Sequence, residues 1–192
     1  YEDKAHGIAP AFLGIAESLK IGLCLEIEQL KRLGKYAYEE DKVLVVKTHP
    51  GVHKCTLKSG QTLTLTSPVL HALEFEKLLI PFLEKDLLYA RESEYRMTCS
   101  IFAPLTDAMN RAGLDAERID YCLMAGGSSF IPQVQETVDS FFINGYVLNF
   151  DSAERAKTAI SRGAAYHALA VALTGQGLLQ PVANDGVMLP TN

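Results

Sequence analysis

The stretch YCLMAGGSSFIPQVQETVDSFF, residues 121–142, passes from an apolar run through two glycines and two serines into a helical pattern. Tyr121 to Ala125 is too apolar and too brief for an amphipathic helix and reads as a short buried strand. Gly126 and Gly127 end it. Pro132 falls where a first helical turn tolerates proline, and Ile131, Val134, Val138, Phe141 and Phe142 recur on one face of the helix it opens. A strand, a glycine turn and a helix result. Such a turn presents backbone N–H groups at a helix start and lets an anionic or sugar-like ligand approach the main chain, since glycine has no Cβ. A tight turn without ligand is the alternative reading, and the spacing matches neither common phosphate-loop pattern.

On the N-terminal side, TCSIFAPLTDAMNRAGL reads as a helix ending at Gly113, joined to the strand through Asp115-Ala116-Glu117-Arg118. On the C-terminal side, Tyr146 to Phe150 reads as a second strand. Asp151 or Ser152 then caps a long helix whose Gly163, Ala164 and Ala165 predict close packing on a neighbour. The tail QGLLQPVANDGVMLPTN has no sustained period and reads as loop.

Further upstream, Ala11 to Tyr38 is dense in apolar residues and helix formers, with Gly14, Gly22 and Gly34 as weak points or ends. Within it Glu28, Lys31 and Arg32 share one helix face; on spacing alone they make a solvated charge group. Residues 43–66 switch to a period of two and predict a three-stranded antiparallel meander with turns at Pro50-Gly51 and Ser59-Gly60. His49 and His53 flank the first turn at a spacing open to a metal, but no third histidine or carboxylate accompanies them, and they read as surface turn residues. Ser67-Pro68 predicts the start of a helix running to about Met97, broken or kinked at Pro81.

Across 192 residues the chain is 48% hydrophobic and 21% charged, an ordinary globular composition able to bury a core. A net charge of -5 argues against a phosphate-backbone binder, so no nucleic-acid partner is expected. No apolar run approaches a membrane span and no leader opens the chain, which predicts a cytoplasmic protein without a membrane partner. The first residue is Tyr1, which reads as a fragment or a processed product. Cys24, Cys55, Cys99 and Cys122 lack metal-ligand spacing and read as reduced structural thiols.

MAGGSSFIPQVQETVDSFF resembles the adenosine-binding turn of the seventy-kilodalton heat-shock chaperone family, whose pattern is a strand, Gly-Gly-Ser-Thr-Arg-Ile-Pro and a helix. Gly126, Gly127, Ser128, Ile131 and Pro132 match it as they stand; Ser129 is a conservative replacement and Phe130 a departure. Glu28-Gln29-Leu30-Lys31-Arg32 is similar to the Glu-x-x-Lys-Arg helix of that family, and Phe75-Glu76-Lys77-Leu78 to its Phe-Glu-x-Leu signature. His71, Ala72 and Lys157 depart from it. The resemblance implies that Glu28 and Lys31 bond the ribose, that Arg32 lies on the adenine face with Phe130 opposite in place of an arginine, and that Gly126, Gly127, Ser128 and Ile131 complete the site.

The fold so implied is α/β: lobe II of an actin-like (ribonuclease-H-like) ATPase with an inserted α+β subdomain containing a small antiparallel sheet. Residues 1–97 would be the helical and antiparallel-sheet subdomain, 98–175 the core carrying the glycine turn, and 176–192 a tail or linker remnant. Neither an Asp-x-Gly-Thr nor a Gly-Gly-Gly-Thr phosphate hairpin occurs in the sequence, so no catalytic and no metal-ligating residue is assigned. The expected function is the adenosine side of an ATP/ADP site in a DnaK-like chaperone ATPase, with Mg bound only alongside a further lobe. Partners would be the remaining lobe, a peptide-binding domain and co-chaperones. An interaction module that kept the fold and lost the nucleotide is the alternative.

Overall fold

The computed structural model describes residues 7–85, 91–92, 97–98, 100–175, 179–181 and 188–190. The chain divides into two compact units interleaved in sequence: Tyr1–Asp115 with Ile131–Thr137, and Ala116–Phe130 with Val138–Asn192.

The first unit opens with helix α1 (Ala9–Arg32), which runs unbroken through Gly14 and Gly22. Gly34 stops it, at φ 68°, with Lys35 N donating to Leu30 O at 2.8 Å and Gly34 N to Lys31 O at 3.0 Å. That pair of bonds is the glycine-terminated helix end, which satisfies carbonyls left over by the last turn. A short helix α2 (Glu39–Val43) leads into strands β1 (Val46–Thr48), β2 (Val52–Thr56), β3 (Thr62–Thr66) and β4 (Val69–His71).

These strands do not form the expected three-stranded meander. β2 pairs with β3 and β1 with β4, all antiparallel, so residues 46–71 make one long hairpin that reverses near Gly60 and is interrupted at its middle. Pro50 and Pro68 supply the reason, because a proline cannot donate to a ladder. Gly51 at φ 111° and Ser67 at φ 44° complete the break. Ser67 is therefore no helix cap. The chain stays extended through β4, and α3 (Ala72–Leu83) begins only after His71, where Ala72 N donates to Val45 O at 3.0 Å.

Pro81 lies inside α3, and the helix ends two residues later at Leu83, well short of Met97. Beyond it Arg91–Glu92 (β5) pairs with Met97–Thr98 (β6) as a small antiparallel ladder. Helix α4 (Phe102–Ala112) comes next, closed as expected by Gly113 at φ 64°. The core of this unit gathers Leu23, Cys24 and Ile27 of α1, then Tyr36, Val45, Ala72, Phe75 and Ile131.

In the second unit β7 (Tyr121–Met124) and β8 (Tyr146–Asn149) pair in parallel, as a strand–helix–strand crossover demands. Between them in sequence lies α5 (Pro132–Phe141), of which only the part from Val138 belongs to this unit, and after β8 comes α6 (Ala153–Thr174), capped by Ser152 Oγ, which accepts from Arg155 N. β7 is not buried as its composition predicts. Tyr121 and Leu123 are 66% and 62% exposed, and Tyr146 and Leu148 of β8 are exposed beside them. Parallel strands ordinarily have both faces covered, which is why an apolar run suggests burial; here one face is open. Gly163, Ala164 and Ala165 are likewise exposed on α6 and do not pack on a neighbour. The tail holds one further antiparallel ladder, β9 (Leu179–Pro181) with β10 (Met188–Pro190), in place of the expected loop.

Cys24 and Cys55 are buried free thiols and Cys122 a half-buried one; Cys99 lies outside the described residues. Burial pushes Cys24 up to about 11, despite the opposing charge of Lys20, so it stays protonated.

Candidate functional site

The glycine turn belongs to the second unit. At the end of β7, Gly126 takes φ 91°, a conformation that side-chain-bearing residues rarely adopt. Its N–H donates to Ala156 O of α6 at 3.0 Å, which fixes the turn against that helix. Gly127–Phe130 then form a single 3-10 turn. Ser129 is buried and holds it from within: its N–H donates to Gly126 O at 3.2 Å and its hydroxyl to the same oxygen at 2.6 Å. Ser128 is exposed, and Phe130 is half-buried.

The two glycines are not equivalent. A Cβ on Gly126 would meet nothing within 4 Å, whereas one on Gly127 would lie 2.7 Å from Cε of Lys157. The lysine stem thus lies along Gly127, and a cationic side chain stands beside the turn.

Glu28, Lys31 and Arg32 belong to the first unit, on the last turns of α1. Their shared face is as expected, and each is engaged by a neighbour. Arg32 pairs with Glu28 at 2.5 Å, and Lys31 Nζ pairs with Glu136 Oε1 at 2.5 Å. The Arg32 side chain is largely exposed, so its pair contributes little, roughly 0–1 kcal/mol. A ligand can therefore replace such a partner at small cost.

Around Lys31 lies a cluster that spacing alone did not signal. The ammonium groups of Lys31 and Lys42 stand 5.5 and 5.3 Å from the ring centroid of Tyr36. The Tyr36 hydroxyl donates to Glu76 Oε1 at 3.0 Å, Lys42 Nζ donates to Glu76 Oε2 at 3.0 Å, and Gln133 Nε2 donates to Oε1 at 3.3 Å. Burial, the bond to Glu76 and its charge all push the Tyr36 hydroxyl upward. For Glu76, burial works to raise the pKa, but the bonds from Lys42, Gln133 and Tyr36 together outweigh it and hold the carboxyl below its ordinary value. An open cavity of about 330 Å³ is lined by Lys31, Gly34, Tyr36, Ala37, Lys42 and Glu136. Glu76 falls within the Phe-Glu-x-Leu stretch, but nothing in the sequence placed Tyr36 or Lys42 next to it.

Ile131, matched to the family turn, is 7% exposed and packs in the core of the first unit with Leu23 and Phe75. Its role in the structure is packing. Among the described residues no group of three or more His, Cys, Asp or Glu side chains is placed to hold a metal, and no helix is long and apolar enough to cross a membrane.

Residues 95–182 match the family model described as Hsp70 protein. No curated protein and no solved structure matches the chain. The matched stretch takes in the glycine turn, β7, α5, β8 and α6; Glu28, Lys31 and Arg32 lie before it. The segment that builds the glycine turn is thus similar to the Hsp70 family.

Proposed function

We propose that this chain contributes the adenosine side of an ATP or ADP site in an Hsp70-type chaperone ATPase, lobe II of an actin-like fold. The observation that carries the reading is the family match over residues 95–182, which contains a strand, a Gly126-Gly127 turn and a proline-led helix. The residues present fit such a ligand. Gly126 leaves open space at its Cα, Ser128 is exposed, and the Lys31 ammonium borders an open cavity.

Under this reading Glu28 and Lys31 bond the ribose hydroxyls after exchanging their present partners, and Arg32 and Phe130 each offer a flat face to adenine. The nucleotide supplies the phosphoryl group; this chain binds and orients the nucleoside. Lys157, beside Gly127, adds a positive charge on the turn, which favours an anionic nucleotide over a free nucleoside. Neither an Asp-x-Gly-Thr nor a Gly-Gly-Gly-Thr phosphate hairpin occurs in the sequence, so binding without turnover is the expectation.

The test is a calorimetric titration with ADP. Phe130→Ala should weaken binding about tenfold or more, since stacking a base on an aromatic contributes roughly 1 to 3 kcal/mol, and leave the melting temperature nearly unchanged. A variant that loses several degrees of melting temperature while its ADP affinity stays put would make Phe130 a core residue. Failure of the unsubstituted chain to bind ADP at all would favour an interaction module on the same fold.

A further inference from the structure

The break in the long hairpin brings together two side chains that the nucleotide reading does not use. His49 Nδ1 and His53 Nε2 lie 3.2 Å apart, with ring centroids at 4.9 Å and ring planes at 66°. Four residues of straight strand span roughly 13 Å, so the strand's own geometry does not place these rings in contact. The kink does. Gly51 lies between them at φ 111°, and the bend is tied across the hairpin by His49 N donating to Pro68 O at 2.9 Å and Ser67 N donating to Gly51 O at 2.7 Å. Both rings are half-buried, and β2 resumes directly after the bend with His53 opposite Leu65.

We propose that His49 and His53 form a two-nitrogen site for a borderline divalent transition ion, zinc in the first place, completed by water. Imidazole nitrogen binds zinc at about 2.0–2.1 Å, so two such ligands at the tetrahedral angle stand about 3.3 Å apart. Two neighbouring ligands of a square-planar copper or nickel ion stand about 2.9 Å apart. The observed separation lies between the two and nearer the zinc value.

In the metal-free pair one facing nitrogen carries the proton and the other accepts it. On metal binding that proton moves to the outer nitrogen of its own ring, and a small ring rotation aims both facing lone pairs at the ion. One hydrogen bond is exchanged for two metal–nitrogen bonds. Calcium and magnesium, which take oxygen ligands, are not recognised. Cys55 follows His53 on the same side of β2, but no three-ligand group exists among the described residues, so the thiol is not a third ligand.

Zinc chloride titrated into the chain in a non-chelating buffer tests this, read by calorimetry and by the histidine ring protons in NMR. One zinc should bind, the His49 and His53 ring signals should move together, and magnesium chloride should move neither. His49→Gln and His53→Gln should each weaken zinc binding by at least about tenfold, the loss expected when a chelate becomes a single ligand, whereas Cys24→Ser and Cys55→Ser should leave it intact. Zinc binding unchanged in both glutamine variants, or abolished by Cys55→Ser, would overturn the site. Should a glutamine variant fail to fold, the ring signals of the unsubstituted chain decide, and their failure to move up to millimolar zinc overturns it equally.

Discussion

The two units bury their apolar residues in contrasting ways. The first closes a core around Leu23 and Ile27, both fully buried, and draws it from α1, the hairpin, α3 and Ile131. In the second, the fully or nearly buried residues are few among those described, Ser129, Val138, Phe142 and Ala156, while Tyr121, Leu123, Tyr146 and Leu148 of its parallel strands stay open. The unit with the packed core lies largely before the Hsp70 match, and the sparsely packed one lies largely within it. Recognisable pattern and local packing are thus separate properties: the glycine turn is set by backbone conformation and hydrogen bonds, which need little burial, whereas a core needs area removed from water.

Leucine truncation breaks the comparison most sharply. Leu23→Ala, at a fully buried site, should cost about 2–5 kcal/mol in denaturant unfolding. Leu123→Ala, at a site 62% exposed, should stay within about 0.5 kcal/mol. Equal losses would mean that the open strand face is covered in solution.

Within the second unit, backbone packing at one glycine sets the next effect. A Cβ on Gly145 would sit 2.4 Å from the carbonyl oxygen of Ile119, against main chain that cannot step aside. Gly145→Ala should destabilise by about 1–3 kcal/mol. Gly127→Ala meets only the flexible Lys157 stem and should cost less, although it narrows the approach to the turn. Thermal melts of both variants rank them, and the reverse order would show that the turn, not the β7–β8 connection, is the rigid element.

Smaller still is the polar cluster of the first unit. Tyr36→Phe removes one hydrogen bond to Glu76 and should cost about 1 kcal/mol. Glu76 titrates below its ordinary value in the folded chain, so the stability it contributes is present above the unfolded value of about 4.5 and is lost as pH falls through the folded value. Glu76→Gln should therefore flatten the acid limb of a stability–pH curve below about pH 4.5. An unaltered acid limb would show that other carboxylates govern it.

Much of the second unit was legible because its signals are local. The apolar run of Tyr121 to Met124, the glycine pair and the Ser152 cap each fix the backbone within a few residues. Gly34 and Gly113 ended their helices for the same reason. Pro50-Gly51 has the chemistry of a turn in its own right, and only its partner across the ladder, Ser67-Pro68, reveals that the two prolines interrupt one hairpin together. The Tyr36–Glu76–Lys42–Gln133 cluster is built from bonds between residues 34 to 57 positions apart, and the Lys31–Glu136 pair spans 105; such pairings leave no periodic trace. Exposure of β7 was equally hidden, because apolar composition states what a strand would bury and not whether anything lies against it.

The central claim, proposed above, is that the glycine turn at Gly126–Ser128 and the Glu28–Arg32 helix face each take part in binding an adenine nucleotide. Backbone amide NMR of the chain during an ADP titration tests it most directly. Saturable shifts at Gly126, Gly127 and Ser128 and at Glu28, Lys31 and Arg32, all fitting one dissociation constant, are the predicted result. Shifts confined to one of the two groups, or none up to millimolar ADP, would contradict it.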